Sequence, residues 1–228
     1  MKIFLITVAL SLSLLAFEAT NVQLLYSNDF KGNAFIYDTL DGEKTTFTFE
    51  HFRTFKYGDF YMFVDMMKGI KFDDAEYDIY SEIAPRFSLS KVTKSDFSFS
   101  FFKDLYIASQ INMGKGFRAT LLGIGTDIEM PLFAFFSANI YHRNSNLVDD
   151  TYQITLAYET LKFHKLYLSG FIDMTSNDVN THNQFLYQLY RDNHSSESLS
   201  IGAEWVYYNH SDLHVNTSVL QAMIKYQF

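Results

Sequence analysis

The stretch "TSVLQAMIKYQF", Thr217 to Phe228, alternates without a break. Leu220, Ala222, Ile224, Tyr226 and Phe228 fall on one side of an extended chain. Thr217, Val219, Gln221, Met223, Lys225 and Gln227 fall on the other. Successive side chains of a strand point to opposite faces, and a tilted strand of about 9–11 residues crosses a bilayer. A charge on a lipid-facing side costs about 2–4 kcal/mol at the midplane. Lys225 and Gln221 therefore belong inside a barrel, and the apolar column outside.

The same alternation recurs along the chain. "TYQITLAYE" puts Tyr152, Ile154, Leu156 and Tyr158 outward, with Gln153, Thr155 and Glu159 inward. "SEIAPRFSLS", Ser81 to Ser90, turns Ile83 and Phe87 to one side and Glu82 and Arg86 to the other, with Pro85 near a rim where a missing ladder donor is tolerated. About twelve such segments follow one another. They are expected near 21–28, 45–55, 60–68, 77–88, 101–113, 117–128, 131–143, 150–160, 164–176, 183–191, 199–209 and 217–228, separated by Gly, Asn, Asp, Ser or Lys clusters. The fold class expected is all-β, a transmembrane antiparallel β-barrel of about 12 strands. A soluble sandwich or lipocalin-like barrel would carry the same period with its faces inverted.

Composition and the first residues favour the membrane form. "MKIFLITVALSLSLLAFEA" has a basic start, a short apolar run and small residues around Ala16 and Ala19, the layout of an export signal. Residues 1–19 are expected to be that signal, with cleavage after Ala19 or, alternatively, Ala16, and residues 20–228 the outer-membrane barrel of a Gram-negative bacterium. Phe, Tyr and Trp make up 18% of the chain while mean hydropathy stays near zero. A membrane barrel reconciles the two, because rings occupy its girdles and lipid face and every second residue is polar. Cysteine is absent, so there is no disulfide framework and no thiolate site. A net charge of −8 argues against a nucleic-acid polymer or anionic headgroups as general partners.

An even strand count places both termini on the periplasmic side. The connection "SNDFKGNAFIYDTLDGEK" then lies outside the cell, while "KYGD" and "EMP" are short periplasmic turns. The long "SLSKVTKSDFSFS" and the short "GKG" depart from that simple division.

Parity selects the inward set. It comprises Tyr61, Phe63 and Asp65; Asp78, Tyr80, Glu82 and Arg86; Asp104, Tyr106, Gln110 and Asn112; and Phe133, Phe135, Ser137, Asn139, Tyr141 and Arg143. Glu50, Asp127, Asp173 and Glu204 add acid. Rings for stacking beside groups that bond hydroxyls suit a solute with a flat base and a sugar, and the acid excess disfavours anions. The bland reading is a charge network bracing a narrow interior. Seven His are present, but His142, His164, His182, His194, His210 and His214 fall at expected strand ends or loops, where they assemble no catalytic or metal set. "GIGT" lacks the spacing and Lys of a phosphate loop. No enzyme and no cofactor is expected.

The run "EIAPRFSLSKVTKSDFSFSFFKDLYIAS", Glu82 to Ser109, followed by "LLGIGTDIEMPLFAFFSANIY", Leu121 to Tyr141, resembles the Tsx/OmpK family of outer-membrane nucleoside channels and phage receptors. Weaker similarity covers "FTFEHFRTFKYGDFYMFVDM" and the last strand. The resemblance implies a monomeric twelve-stranded barrel in outer-membrane lipid, passing nucleosides and deoxynucleosides by diffusion, with bacteriophage as a further partner. On that footing Glu50, Tyr61, Phe63, Asp65, Tyr80, Glu82, Arg86, Tyr106, Phe133, Phe135, Tyr141 and Arg143 are the candidates for lining the solute's path. The alternative is a surface receptor or adhesion barrel without specific transport.

Overall fold

A computed structural model describes residues 17–30, 42–69, 77–212 and 214–228. Twelve antiparallel strands are found among them: β1 (Glu18–Phe30), β2 (Gly42–Phe55), β3 (Gly58–Gly69), β4 (Tyr77–Ser88), β5 (Phe102–Gly114), β6 (Phe117–Ile128), β7 (Phe133–Ser145), β8 (Thr151–Thr160), β9 (Leu166–Met174), β10 (Asp178–Arg191), β11 (Ser198–His210) and β12 (Val215–Gln227). Each pairs with its sequence neighbours, and β1 pairs with β12, from Asn21 opposite Gln227 to Tyr26 opposite Ala222. The barrel is closed. No edge is left unpaired, so every strand can sit in hydrocarbon without exposing a row of backbone donors.

The faces follow the expected parity. Leu220 on β12 and Leu122 on β6 are each 63% exposed, whereas Gln221 is 2% and Gln153 3% exposed. Large apolar side chains such as Leu24, Ile79, Ile140 and Ile201 stand exposed around the circumference. An apolar surface this extensive far exceeds what a water-soluble monomer presents. No described helix is long and apolar enough to cross a membrane.

Three differences from the sequence reading have local causes. First, β10 begins at Asp178, five residues before the expected start, because its ladder to β11 runs from Asp178 opposite His210. Second, the long connection after β4 is not slack. Ser88 caps α1 (Leu89–Thr93) by accepting from the Lys91 amide at 3.0 Å, Lys94 ends it in the left-handed region at φ 60°, and Ser90 Oγ donates to Asp104 at 2.7 Å. Third, β1 already pairs at Glu18 and Ala19, opposite Arg53 and Phe52. Residues 1–16 of the expected leader, and most of the 27–44 connection, lie outside the described residues.

The tight "GKG" reversal needs only Lys115 and Gly116, and Gly116 takes φ +69°, which glycine adopts without a Cβ penalty. Inside β6, Gly123 serves close approach instead. A Cβ there would stand 1.8 Å from the Ile140 carbonyl oxygen of β7. Gly123→Ala should therefore force the β6–β7 ladder apart, at a cost of about 1–3 kcal/mol or more. The expected readout is a lower heat-resistance of the folded band on a detergent gel; an unchanged transition would refute the close approach.

Candidate functional site

The barrel encloses a cavity of about 1330 Å³, with lining from Lys103 and Arg191 at the rim where β1 begins and β12 ends to Lys115 and Val148 at the other. All twelve candidate residues border it. Eleven do so as parity requires. Phe133 is the correction: a bulge between Phe133 and Phe135 turns it out of the inward column. Its ring packs edge-on against Phe136 and Tyr158, at 5.4 and 6.0 Å between centroids, and both belong to the opposite face. Phe135 keeps the column and stands half exposed at the mouth.

The rings form a continuous wall. Tyr61 and Phe63 alternate on β3 at 6.2 Å, Phe63 meets Tyr80 of β4 at 5.9 Å, and Tyr80 lies nearly parallel to Phe117 of β6 at 6.3 Å. Tyr80 reaches Phe117 across β5 because Gly114 sits between them; a Cβ there would come within 3.3 Å of the Tyr80 ring. Polar groups are held beside this wall. Tyr80 donates to Glu82 at 2.6 Å, and Gln110 donates to the other Glu82 oxygen at 2.8 Å and to Asn112 at 2.9 Å. Thr48 donates to Asp65. An apolar run of rings with carboxylates and amides along its edge can stack a base on one of its faces and bond hydroxyls.

A second cluster lies toward the end of β4, at the rim where β1 begins and β12 ends. Arg86 forks onto Asp59 through Nε and Nη2, both at 2.8 Å, and its Nη1 stands 2.9 Å from Asp127. Its guanidinium lies 4.3 Å from the Tyr106 ring centroid, and Tyr106 in turn donates to Asp127 at 2.9 Å. Beside it, Pro85 interrupts the β4–β5 ladder between Ile83 and Arg86, and Ser109 Oγ donates to the Pro85 carbonyl at 3.2 Å. These contacts make Arg86 a brace of the wall.

The third cluster joins β1, β2, β10, β11 and β12. Gln23 donates to Glu50 at 2.7 Å, Gln184 to Gln23 at 2.9 Å and to Glu204 at 3.0 Å, and Lys225 stands 3.8 Å from Glu50. His182 stacks on Phe171 at 5.0 Å with Nδ1 3.2 Å from Glu204. Tyr141, 2% exposed, lies against Ala108, Ala119 and Leu121, and Arg143 reaches Asp178 at 3.3 Å. Asn139 Oδ1, Arg143 Nε and Asn180 Oδ1 are buried without a protein partner, leaving them for water or a passing hydroxyl. At the rim between β8 and β9, burial lowers the Lys162 pKa; Glu159 opposes this, and Arg191 and Lys225 add to it.

Sequence reading missed Asp59, Phe117, Phe171, Gln184 and His182. Asp59 was absorbed into the "KYGD" turn, and His182 was placed before its strand; a longer β10 register would have found it. Among the described residues no group of His, Asp and Glu is arranged to hold a metal.

Comparison with known proteins agrees with this geometry. A family model described as "Nucleoside-specific channel-forming protein, Tsx" matches residues 20–226. The nucleoside-specific channel-forming protein Tsx of Escherichia coli O157:H7 is 41% identical over 69 residues, 28% of this chain and 24% of that protein. Its namesake in Salmonella typhimurium LT2 is 35% identical over 109 residues, 41% of this chain and 37% of that protein. The chain thus spans well under half the length of these relatives. Among solved structures, the KdgM porin covers 92% of this chain and 99% of its own at a TM-score of 0.52 and 10% identity, a likeness of fold.

Proposed function

Because the chain belongs to the Tsx family of nucleoside-specific channel-forming proteins, we propose that it is an outer-membrane channel through which nucleosides and deoxynucleosides diffuse. One observation carries the reading: the ring wall of Tyr61, Phe63, Tyr80 and Phe117, edged by Glu82 and Gln110, inside a cavity whose lining reaches both rims. Stacking worth about 1–3 kcal/mol per base holds a nucleoside weakly. A channel needs that weakness, since its passenger must leave as readily as it enters. The protein's own work is positional and electrostatic, and no catalytic step is assigned to it.

In the proposed orientation the rim carrying both termini faces the periplasm. Glu50, Tyr61, Phe63, Asp65, Tyr80, Glu82, Tyr141 and Arg143 line the path, with Arg86 and Tyr106 as its frame. A monomer in outer-membrane lipid is sufficient, because the path lies within one barrel. Family membership favours this over a receptor or adhesion barrel without transport.

Reconstitution into planar bilayers tests the proposal. Small single-channel conductance, reduced stepwise by adenosine or thymidine, is the expected result. Conductance that is absent, or that ignores both nucleosides, overturns it.

A further inference from the structure

The outer wall carries a recess that the channel reading does not use. Six consecutive strands, β8 to β12 and β1, border a hollow of about 880 Å³. Tyr26 stands at one side and Phe185 and Tyr187 at the other, while at Ala222 the wall carries no bulky side chain. On β12 the outward neighbours of Ala222 are Leu220 and Ile224, 63% and 49% exposed, so the alanine makes a gap in an otherwise bulky face. No charged residue lines the hollow. Its lower end is closed by the turn between β8 and β9, from which Leu161 and the 72%-exposed Phe163 project.

That turn also carries cations. Its sequence is Leu161-Lys162-Phe163-His164-Lys165-Leu166, with its apolar members on the recess and its basic members between them. Lys162 is directed to the Tyr167 ring, 4.7 Å from the centroid. Lys165 is exposed and in no ion pair among the described residues, and its carbonyl is pinned by the Gln188 amide at 2.9 Å. An apolar hollow whose end abuts a basic, exposed turn matches one chemistry, a chain of hydrocarbon attached to a phosphate.

We propose that this recess binds one glycerophospholipid, its acyl chain lying over Ala222 and its phosphate against Lys165. The complementarity is apolar along the strands and ionic at the rim. The rim is the periplasmic one in the proposed orientation, and phospholipid is the lipid of that leaflet. A Lys at a membrane surface contributes enough attraction to change lipid occupancy about fivefold.

Native mass spectrometry of the folded barrel in detergent, with phosphatidylglycerol added, tests this. The unaltered protein is expected to retain one lipid. Ala222→Trp, which fills the gap, and Lys165→Glu, which repels the phosphate, should each lower retention about fivefold or more. Leu122→Ala, on the outward face of β6, should not. Lys165→Glu alters an exposed turn residue and keeps the test decisive even where the tryptophan disturbs folding. Equal retention by unaltered protein and Lys165→Glu overturns the proposal, as does a lipid-free dimer joined through this face. Neither substitution touches the lumen, so nucleoside block measured on the same variants reads the channel proposal separately.

Discussion

Removing two rings of the wall, Phe63→Ala with Tyr80→Ala, is expected to raise the nucleoside concentration for half-block of the channel about tenfold to hundredfold. The magnitude follows from stacking of about 1–3 kcal/mol per base and from the position of Tyr80. It touches Phe63 on one side and Phe117 on the other, so its loss breaks the wall in the middle. Tyr80→Phe separates two contributions. It keeps the ring and removes the donor to Glu82, so block should weaken by less than the alanine change. One control bounds the effect. Tyr152, 70% exposed on the lipid face, should tolerate alanine with block unchanged. The measurement is block of ion current by adenosine across a concentration series. A half-block concentration unmoved in the Phe63–Tyr80 double variant would remove the wall from the path.

The second large effect is on stability. Arg86→Met leaves Asp59 and Asp127 facing one another's side of the lumen without the guanidinium between them. The Arg86 and Asp59 side chains are 12% and 8% exposed, so neither has ready access to bulk water. Breaking such a pair from one side costs about 3–5 kcal/mol, because a buried charge is left uncompensated. Urea unfolding of the barrel in detergent micelles should show that loss. Adding Asp59→Asn to Arg86→Met should restore a large part of it by removing the stranded charge. Arg86→Lys should fall between, since one ammonium cannot reproduce a two-pronged bond and a contact to Asp127 together. A loss below about 1 kcal/mol for Arg86→Met would mean that water already screens the cluster.

The architecture was legible because a period of two, sustained for about ten residues and repeated twelve times, has few physical solutions. Ile224 against Lys225 declared its side from charge cost, and Leu220 against Gln221 and Tyr152 against Gln153 from the alternation of apolar and amide side chains. Where parity failed, local backbone irregularity was responsible. A bulge at Phe133 shifts one residue to the other face, and nothing in "LFAFFSANIY" marks where it falls. His182 was misplaced because "NDVNTH" reads as a polar turn, although Asn180 and His182 sit in a polar lumen where such residues are at home. Asp59 was hidden by the same effect, since an aspartate after glycine has the signature of a turn. Partners across the lumen, such as Gln184 with Gln23, were beyond reach. Their separation in sequence is 161 residues, and only the closed ladder brings them together.

That last contact bears on how the barrel completes itself. The first and last strands are joined by rungs from Asn21 to Tyr26. They are also stitched from within, where Lys225 of β12 stands near Glu50 and Gln184, and Gln221 donates to Glu204 at 3.1 Å. A chain still lacking its final thirteen-residue strand would hold Glu50 and Glu204 without these companions. β12 is thus the keystone: it shuts the ring and brings a cation to Glu50 in one event, and partial rings gain neither.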